Sequence, residues 1–409
     1  MLIVDVNHGA LDLAREYIEL GYSVDVWDIY GKLEKDKDFA KNYKDIISKV
    51  KIIKKDENIN FDNYDKIIAP IHCPIEDDFI SFHDAVSEIV KEKYGNIHKK
   101  FIEVTGVKGK TTTTEMINFI LKDDYEVFLH NSNKGSIAPT SILNVLRECN
   151  VDDIDYFIFE VSLGITSCGY GVITNIVENY PIAKGKRNAL IAKISTLKNA
   201  DKKYINMKIL EEYGLKLNLE NLFVIDTNKE IISKYPLKYK FDDYIVEFNK
   251  NVFGMHLVEN SIFAIKVCEN FINTEDIIEK IKNFRINSRM SVEKIKNRYI
   301  VKNINPGLDV KAIDYAIKDF LEVFGVKQNP SEPHIKDVVI IGGDFGITCE
   351  EIDVKRLAKV IEKYNANFIF VGDIGKELKK NLDKYPFYSK IDLDELDGNV
   401  LVIIRSAIS

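Results

Sequence analysis

Between the apolar run 101–105 and the apolar-periodic segment 112–121 stands Val104-Thr105-Gly106-Val107-Lys108-Gly109-Lys110-Thr111-Thr112-Thr113. Two glycines, a Gly-Lys-Thr and a threonine run set between a strand and a helix restrict the fold severely. The strand must end directly at a helix N-terminus, where backbone N–H groups and the helix's partial positive charge face a phosphate. Lys110 would reach the β/γ-phosphates and the Thr111 hydroxyl a Mg²⁺ position. The pattern G-x-x-x-x-G-K-[ST] is not met, because Val104 stands where its first glycine belongs; the loop is the shorter G-x-x-G-K-T form.

Length and composition set the frame for that loop. A chain of 409 residues, at about 150 per domain, calls for two or three cores. With 45% hydrophobic residues, 30% charged, a mean hydropathy of -0.14 and no long uninterrupted apolar run, a soluble globular protein is expected. Lys+Arg 57 against Asp+Glu 64 leaves a net charge of -7 with both signs mixed, which argues against nucleic-acid or membrane partners. Any polyanion must then be met by a local site. The start, Met1-Leu2-Ile3-Val4-Asp5, reads as a strand rather than a signal sequence, so a cytoplasmic location is expected. Cys73, Cys149, Cys168, Cys268 and Cys349 are scattered without a C-x-x-C pair and are expected to be reduced and mostly buried.

Along the chain, residues 2–6 read as a strand, 11–20 as a helix stopped by Gly21, and 23–27 as a strand ending in Asp28. A third apolar run, 66–70, leads into Ile71-His72-Cys73-Pro74, and the charged stretch 91–100 reads as a linker. Residues 1–97 are therefore expected to form an N-terminal domain. Strands at 101–105, 126–130, 156–161, 171–175 and 221–225 predict a larger central domain over 98–290. A hairpin over 291–304, a helix over 310–324 and strands at 338–342, 368–371 and 400–404 predict a third domain over 291–409. The expected fold class is α/β in three domains: Rossmann-like, P-loop ATPase-type, Rossmann-like.

The loop Thr105-Gly106-Val107-Lys108-Gly109-Lys110-Thr111-Thr112 resembles the T-G-T-N-G-K-T-T loop of the Mur ligases and their relatives, the folylpolyglutamate and cyanophycin synthetases. Further likenesses follow in the family's order: Phe159-Glu160-Val161-Ser162, Val172-Ile173-Thr174-Asn175-Ile176, Ala192-Lys193, Gly254-Met255-His256-Leu257-Val258-Glu259-Asn260 and Ser288-Arg289. The resemblance implies ATP held by Gly106, Val107, Lys108, Gly109, Lys110, Thr111 and Thr112, with His256 and Asn260 at the adenine and Arg289 closing the central domain. It implies Mg²⁺ on Thr111 and Glu160, and makes Lys110, Glu160 and Lys193 catalytic, the last as a carbamylated lysine bridging to a second Mg²⁺. The implied reaction activates a small-molecule carboxylate, nucleotide-linked or not, as an acyl phosphate and joins it to an amine or amino acid. A monomer is expected.

Departures from the family pattern point to an outlying branch. Asn179 and Tyr180 stand where the family's D-H belongs, Ile304-Asn305-Pro306 is all that remains of D-Y-A-H-N-P, and Arg405-Ser406 replaces a late G-S. The composition and the V-D-x-x-H-G start resemble archaeal members. Those include the pseudomurein peptide ligases, the first choice here, and the enzymes that close the last ring of the methanogens' nickel-tetrapyrrole coenzyme, the alternative. A P-loop ATPase switch without ligase chemistry is the alternative of another class.

Blander readings compete for several residues. Asp28 suits a ribose hydroxyl, yet Asn7-His8-Gly9-Ala10 lacks G-x-G-x-x-G. His8 and His72 each follow a strand, at the edge where open α/β sheets take ligands, with Gly9 keeping the turn small. They are candidate substrate residues, although a histidine in such a place is often only a loop residue. Lys193, read as lying on one helix with Lys186 and Arg187, could be part of a solvated basic face. Gly342-Gly343-Asp344 could meet a phosphate or simply make a turn.

Overall fold

Every residue of the strand Phe101–Thr105 is buried, without the alternation of a half-exposed strand, as expected for a parallel strand covered on both faces. The computed structural model describes residues 1–76, 78–305, 307–325, 337–345 and 352–406, which form two compact units, Met1–Thr227 and Asn228–Ser409. Pro306 and Cys349 lie outside the described residues.

The first unit carries two parallel sheets. One has the order Lys51–Ile53, Asp25–Trp27, Leu2–Val4, Ile67–Ala69, Ile80–Ser81. Its strand order reverses at Leu2–Val4, which puts a topological switch point between that strand and Ile67–Ala69. The first strand stops two residues short of the expected end because Asp5 turns to φ 81 and opens a 3-10 turn, Val6–His8. The stretch 91–100 is not an extended linker. The helix Phe82–Tyr94, capped by Ser81 and buried through Val86, Ile89 and Val90, runs into it and is followed by a 3-10 helix over Gly95–Lys100.

The larger sheet has six parallel strands in the order Leu222–Ile225, Ala200–Asn206, Cys168–Ile173, Phe101–Thr105, Tyr156–Glu160, Val127–His130. The strand Phe101–Thr105 lies near its centre, and its loop enters the helix Lys110–Leu121. The two sheets share one apolar core: Ile3, Val6, Leu11, Phe82 and Ile89 pack with Phe101, Leu143, Phe157 and Ile165. Arg147 pairs with Glu16 and Glu19 across the same seam, and it holds the Glu19 carboxyl down at about 2 against the opposing effect of burial.

The second unit begins with an antiparallel sheet, Ile231–Lys234, Leu237–Phe241, Tyr244–Glu247, absent from the expectations. The hairpin Arg289–Ile295 and Arg298–Ile304 forms as expected. It joins the parallel strands Val400–Arg405, Val338–Gly343 and Asn367–Val371 in one five-stranded sheet, against which the helix Val310–Phe324 buries Ile313, Ile317 and Phe320. The fold class is the expected α/β. No helix among the described residues is long and apolar enough to cross a membrane. Cys73, Cys168 and Cys268 are buried, Cys149 is half-buried, and all four are free thiols.

Candidate active site

Val104 is a fully buried core residue, so the chain leaves the sheet one residue later, at Thr105, and the loop proper starts at Gly106. Gly106 has φ +146, and a Cβ there would lie 2.1 Å from Thr174 Oγ1. The loop is strapped to Thr174-Asn175: Val107 N donates to Asn175 O at 2.9 Å, Lys108 N to Asn175 Oδ1 at 2.9 Å, and Thr174 Oγ1 to Lys108 O at 2.8 Å. The Thr-Asn pair thus fixes the shape of the loop, a role that residue type alone did not disclose. Val107 and Lys108 spend their N–H groups on that strap. The helix N-terminus leaves the N–H groups of Lys110, Thr111 and Thr112 without intrahelical acceptors, and these form the anion-facing part.

Beside them lies Glu160, at the end of the neighbouring strand and almost fully buried. Its carboxylate accepts from Thr111 Oγ1 at 2.8 Å and Ser132 N at 3.0 Å, with Lys110 Nζ 3.6 Å away. Lysine, hydroxyl and carboxylate therefore converge on one point. Hard oxygens from a hydroxyl and a carboxylate next to a phosphate-facing helix end suit Mg²⁺, and the glycine cradle suits a triphosphate.

Lys193 is buried within the helix Ala189–Thr196, which rules out the solvated basic face. Lys186 and Arg187 precede that helix, contrary to the reading that placed all three on it. Lys186 pairs with Glu76 on the surface, and Arg187 donates to the carbonyls of Ile71 and Cys73. Where the family's D-H belongs, Asn179 Oδ1 accepts from Leu190 N, and the ring of Tyr180 faces Lys193 Nζ at 5.9 Å. The substituted pair therefore positions the lysine's helix.

Asp28 is engaged structurally, accepting from Lys32 N and Leu33 N at 2.8 Å each at the start of the helix Lys32–Lys35. The space above Gly9 belongs to Thr140, whose Oγ1 would lie 2.1 Å from an added Cβ; Gly9 admits that side chain rather than a ligand. His8 and His72 do come together, with His72 Nε2 3.3 Å from His8 Nδ1, and both line a cleft with Phe82, Pro139, Ser162 and His83. His83 escaped the sequence reading, since nothing in its local pattern marks it. It is buried, its Nε2 meets Ser162 O at 2.9 Å, and burial pushes its pKa down to about 4, so the neutral ring donates from Nε2. Its Nδ1 has no hydrogen-bond partner among the described residues.

In the second unit, His256 opens the helix His256–Cys268 and is exposed, while Asn260 is buried one turn on with an unpartnered Nδ2 among the described residues. Arg289 begins its strand and is half-buried. Gly342 and Gly343 pack tightly, with Asp344 N donating to Arg405 O, which accounts for this turn structurally.

Fold and loop together define a nucleotide-binding α/β protein, and its relatives place it among the ATP-dependent ligases. The Mur ligase middle domain matches residues 104–180, and the C-terminal domain of coenzyme F430 synthetase CfbE matches residues 292–406. The chain is 54% identical to the coenzyme F(430) synthetase of Methanocaldococcus jannaschii over 100% of its length and 99% of the relative's. It is 24% identical to that of Methanosarcina acetivorans, covering 91% of the chain and 90% of the relative. Among solved structures, MurF ligase of Thermotoga maritima in complex with ADP has a TM-score of 0.55 at 13% identity, covering 90% of this chain and 88% of that one. A pseudomurein peptide ligase type C from Methanothermus fervidus has a TM-score of 0.50 at 17% identity, covering 99% and 97%. The chain belongs to the Mur ligase family.

Proposed function

We propose that this ligase completes a nickel tetrapyrrole by ATP-driven ring closure; its relatives are named as synthetases of coenzyme F(430). The observation that carries the reading is the 54% identity over the whole chain with a coenzyme F(430) synthetase. The pseudomurein reading, preferred on the sequence alone, has only a structural likeness at 17% identity behind it, which speaks for fold and not for substrate.

Bound Mg-ATP would supply the phosphoryl group and neutralise its charge; the chain supplies placement and electrostatics. Thr111 Oγ1 and Glu160 are the metal's ligands or their hydrogen-bonding neighbours, and Lys110 with the N–H groups of Lys110, Thr111 and Thr112 stabilises the charge that spreads over the γ-phosphoryl oxygens. A substrate carboxylate oxygen takes the phosphoryl group to give an acyl phosphate. A nucleophile within the same molecule then attacks the acyl carbon, and inorganic phosphate leaves. Lys193, buried beside Tyr180, is proposed to act through its charge or as a carbamate. His256, Asn260 and Arg289 are proposed nucleotide contacts on the family resemblance, and the three-domain division at 97/98 and 290/291 is proposed likewise.

Ring closure needs no second substrate. With a seco-tetrapyrrole acid and Mg-ATP, one ADP should form for each product molecule that has lost the mass of one water, and added amino acids should not raise the rate. ADP release that depends on an added amine would return the reading to amide ligation.

A further inference from the structure

The switch point of the first sheet holds a group of side chains outside the phosphate site. Asp5, fully buried and held at φ 81, follows the strand Leu2–Val4; His8 follows three residues on; His72 follows the strand Ile67–Ala69. Three atoms meet: His8 Nδ1 to Asp5 Oδ2 is 2.7 Å, His72 Nε2 to Asp5 Oδ2 is 3.5 Å, and His72 Nε2 to His8 Nδ1 is 3.3 Å.

Hydrogen bonding satisfies this triangle only when both rings donate to the one oxygen Asp5 Oδ2, with no hydrogen bond between the rings. A cation inside the triangle would engage all three atoms at once through their lone pairs. Ligands of a tetrahedral ion with bonds of about 2.1 Å lie about 3.4 Å apart; the 3.3 and 3.5 Å separations match that value, and the 2.7 Å pair, now at hydrogen-bond distance, would open by a few tenths of an ångström around an ion.

We infer that Asp5, His8 and His72 form a binding site for one divalent transition-metal ion, with the remaining position open to the adjoining cleft. Two imidazoles and a carboxylate select Zn²⁺, Co²⁺, Ni²⁺ or Fe²⁺ over Mg²⁺ or Ca²⁺, and three protein ligands leave room for an exchangeable one. Asp5 is oriented from behind by accepting from Asn7 N at 3.0 Å, as a metal-binding carboxylate usually is. His83, with its Nδ1 unpartnered among the described residues, belongs to the wall of the same cleft. Ser162, two residues after Glu160, forms another part of that wall. The inference stands whether or not the substrate is a tetrapyrrole, since it rests on the chain's own donors.

The test uses the full-length protein stripped with a chelator and titrated with Co²⁺ alone, read by visible d–d absorption and by calorimetry, with Zn²⁺ competing. One Co²⁺ per chain should bind outside the phosphate site, and Glu160→Gln should keep it. His8→Ala and His72→Ala should each weaken it by at least ~10-fold, the lower bound for loss of even an outer partner. Both side chains are partly exposed, at 35% and 15%, so the variants should fold, as Trp27 emission checks. Cobalt binding that disappears in Glu160→Gln, or that is unchanged in both histidine variants, overturns the site; so does no binding by the parent.

Discussion

Gly106→Ala tests how the phosphate loop is built. The new Cβ would stand 2.1 Å from Thr174 Oγ1 and 3.2 Å from Asn175 N and O, on a backbone at φ +146. Thr174 cannot simply swing away, because Oγ1 lies 2.8 Å from Lys108 O and 3.3 Å from Thr105 O. Forcing an L-residue into such a conformation costs about 1–3 kcal/mol. Overpacking against a held neighbour adds about 1–3 kcal/mol, so the variant should lose about 2–6 kcal/mol. For a unit of this size that lowers the melting midpoint by roughly 5–20 °C. The single tryptophan, Trp27, lies in the same unit and reports its unfolding; ADP affinity, titrated in parallel, should fall as the loop distorts. Thr174→Ala alone should cost about 1 kcal/mol for the lost strap. Placed on Gly106→Ala it removes the 2.1 Å clash and leaves the backbone strain and the tight approach to Asn175, so the double variant should recover up to about half of the combined loss. If Gly106→Ala melts and binds ADP like the parent, or Thr174→Ala recovers nothing, the strap does not shape the loop.

Glu103 gives a pH test. Burial pushes its carboxyl up to about 7 from 4.5 despite hydrogen bonds from Thr166, so between those values the folded chain holds a proton that the unfolded chain has released. Stability should therefore fall as pH rises from about 4.5 to about 7, by on the order of 3 kcal/mol, and level off above. Glu103→Gln, which can accept from Thr166 N and donate to Thr166 Oγ1, should flatten that slope and be the more stable protein at pH 8. Matching denaturation profiles for the two would refute the assignment. Glu160→Gln should raise the Mg²⁺ concentration needed for half-maximal ADP formation by at least ~10-fold, an outcome sunk by superimposable titrations. Lys110→Ala should abolish ADP formation at an unchanged melting temperature; substantial turnover would remove the lysine from phosphoryl transfer.

Elements whose own periodicity records their burial were readable in the sequence: the strand Phe101–Thr105 and the helix Val310–Phe324 coincide with their expected bounds. The end of the helix Phe82–Tyr94 was hidden because its exposed side is a run of charges that looks like linker once the buried Val86 and Ile89 are left behind. The short strands Ile231–Lys234 and Tyr244–Glu247 carry only four residues each without a clear alternation, and each forms by pairing with Leu237–Phe241 between them. That Lys110, Thr111 and Glu160 would stand together was legible because residue type and spacing mark them. The Thr174-Asn175 strap, the burial of Lys193 and the place of His83 depend on which strands become neighbours, which no local pattern states. Gly9 misled for a related reason: the sequence shows that something approaches closely, and only the tertiary structure shows that it is Thr140.

Glu160 has a consequence for the order of events. Its carboxylate already serves the Thr111 hydroxyl, the Ser132 amide and, at 3.6 Å, the Lys110 ammonium. A bare dication approaching that carboxylate is repelled by the ammonium beside it. Phosphate reverses that obstacle, drawing the ammonium toward itself and giving the dication oxygens of its own. On the proposed assignment the site should discriminate by sequence of arrival: the metal should enter together with the nucleotide or after it, and free magnesium by itself should bind weakly.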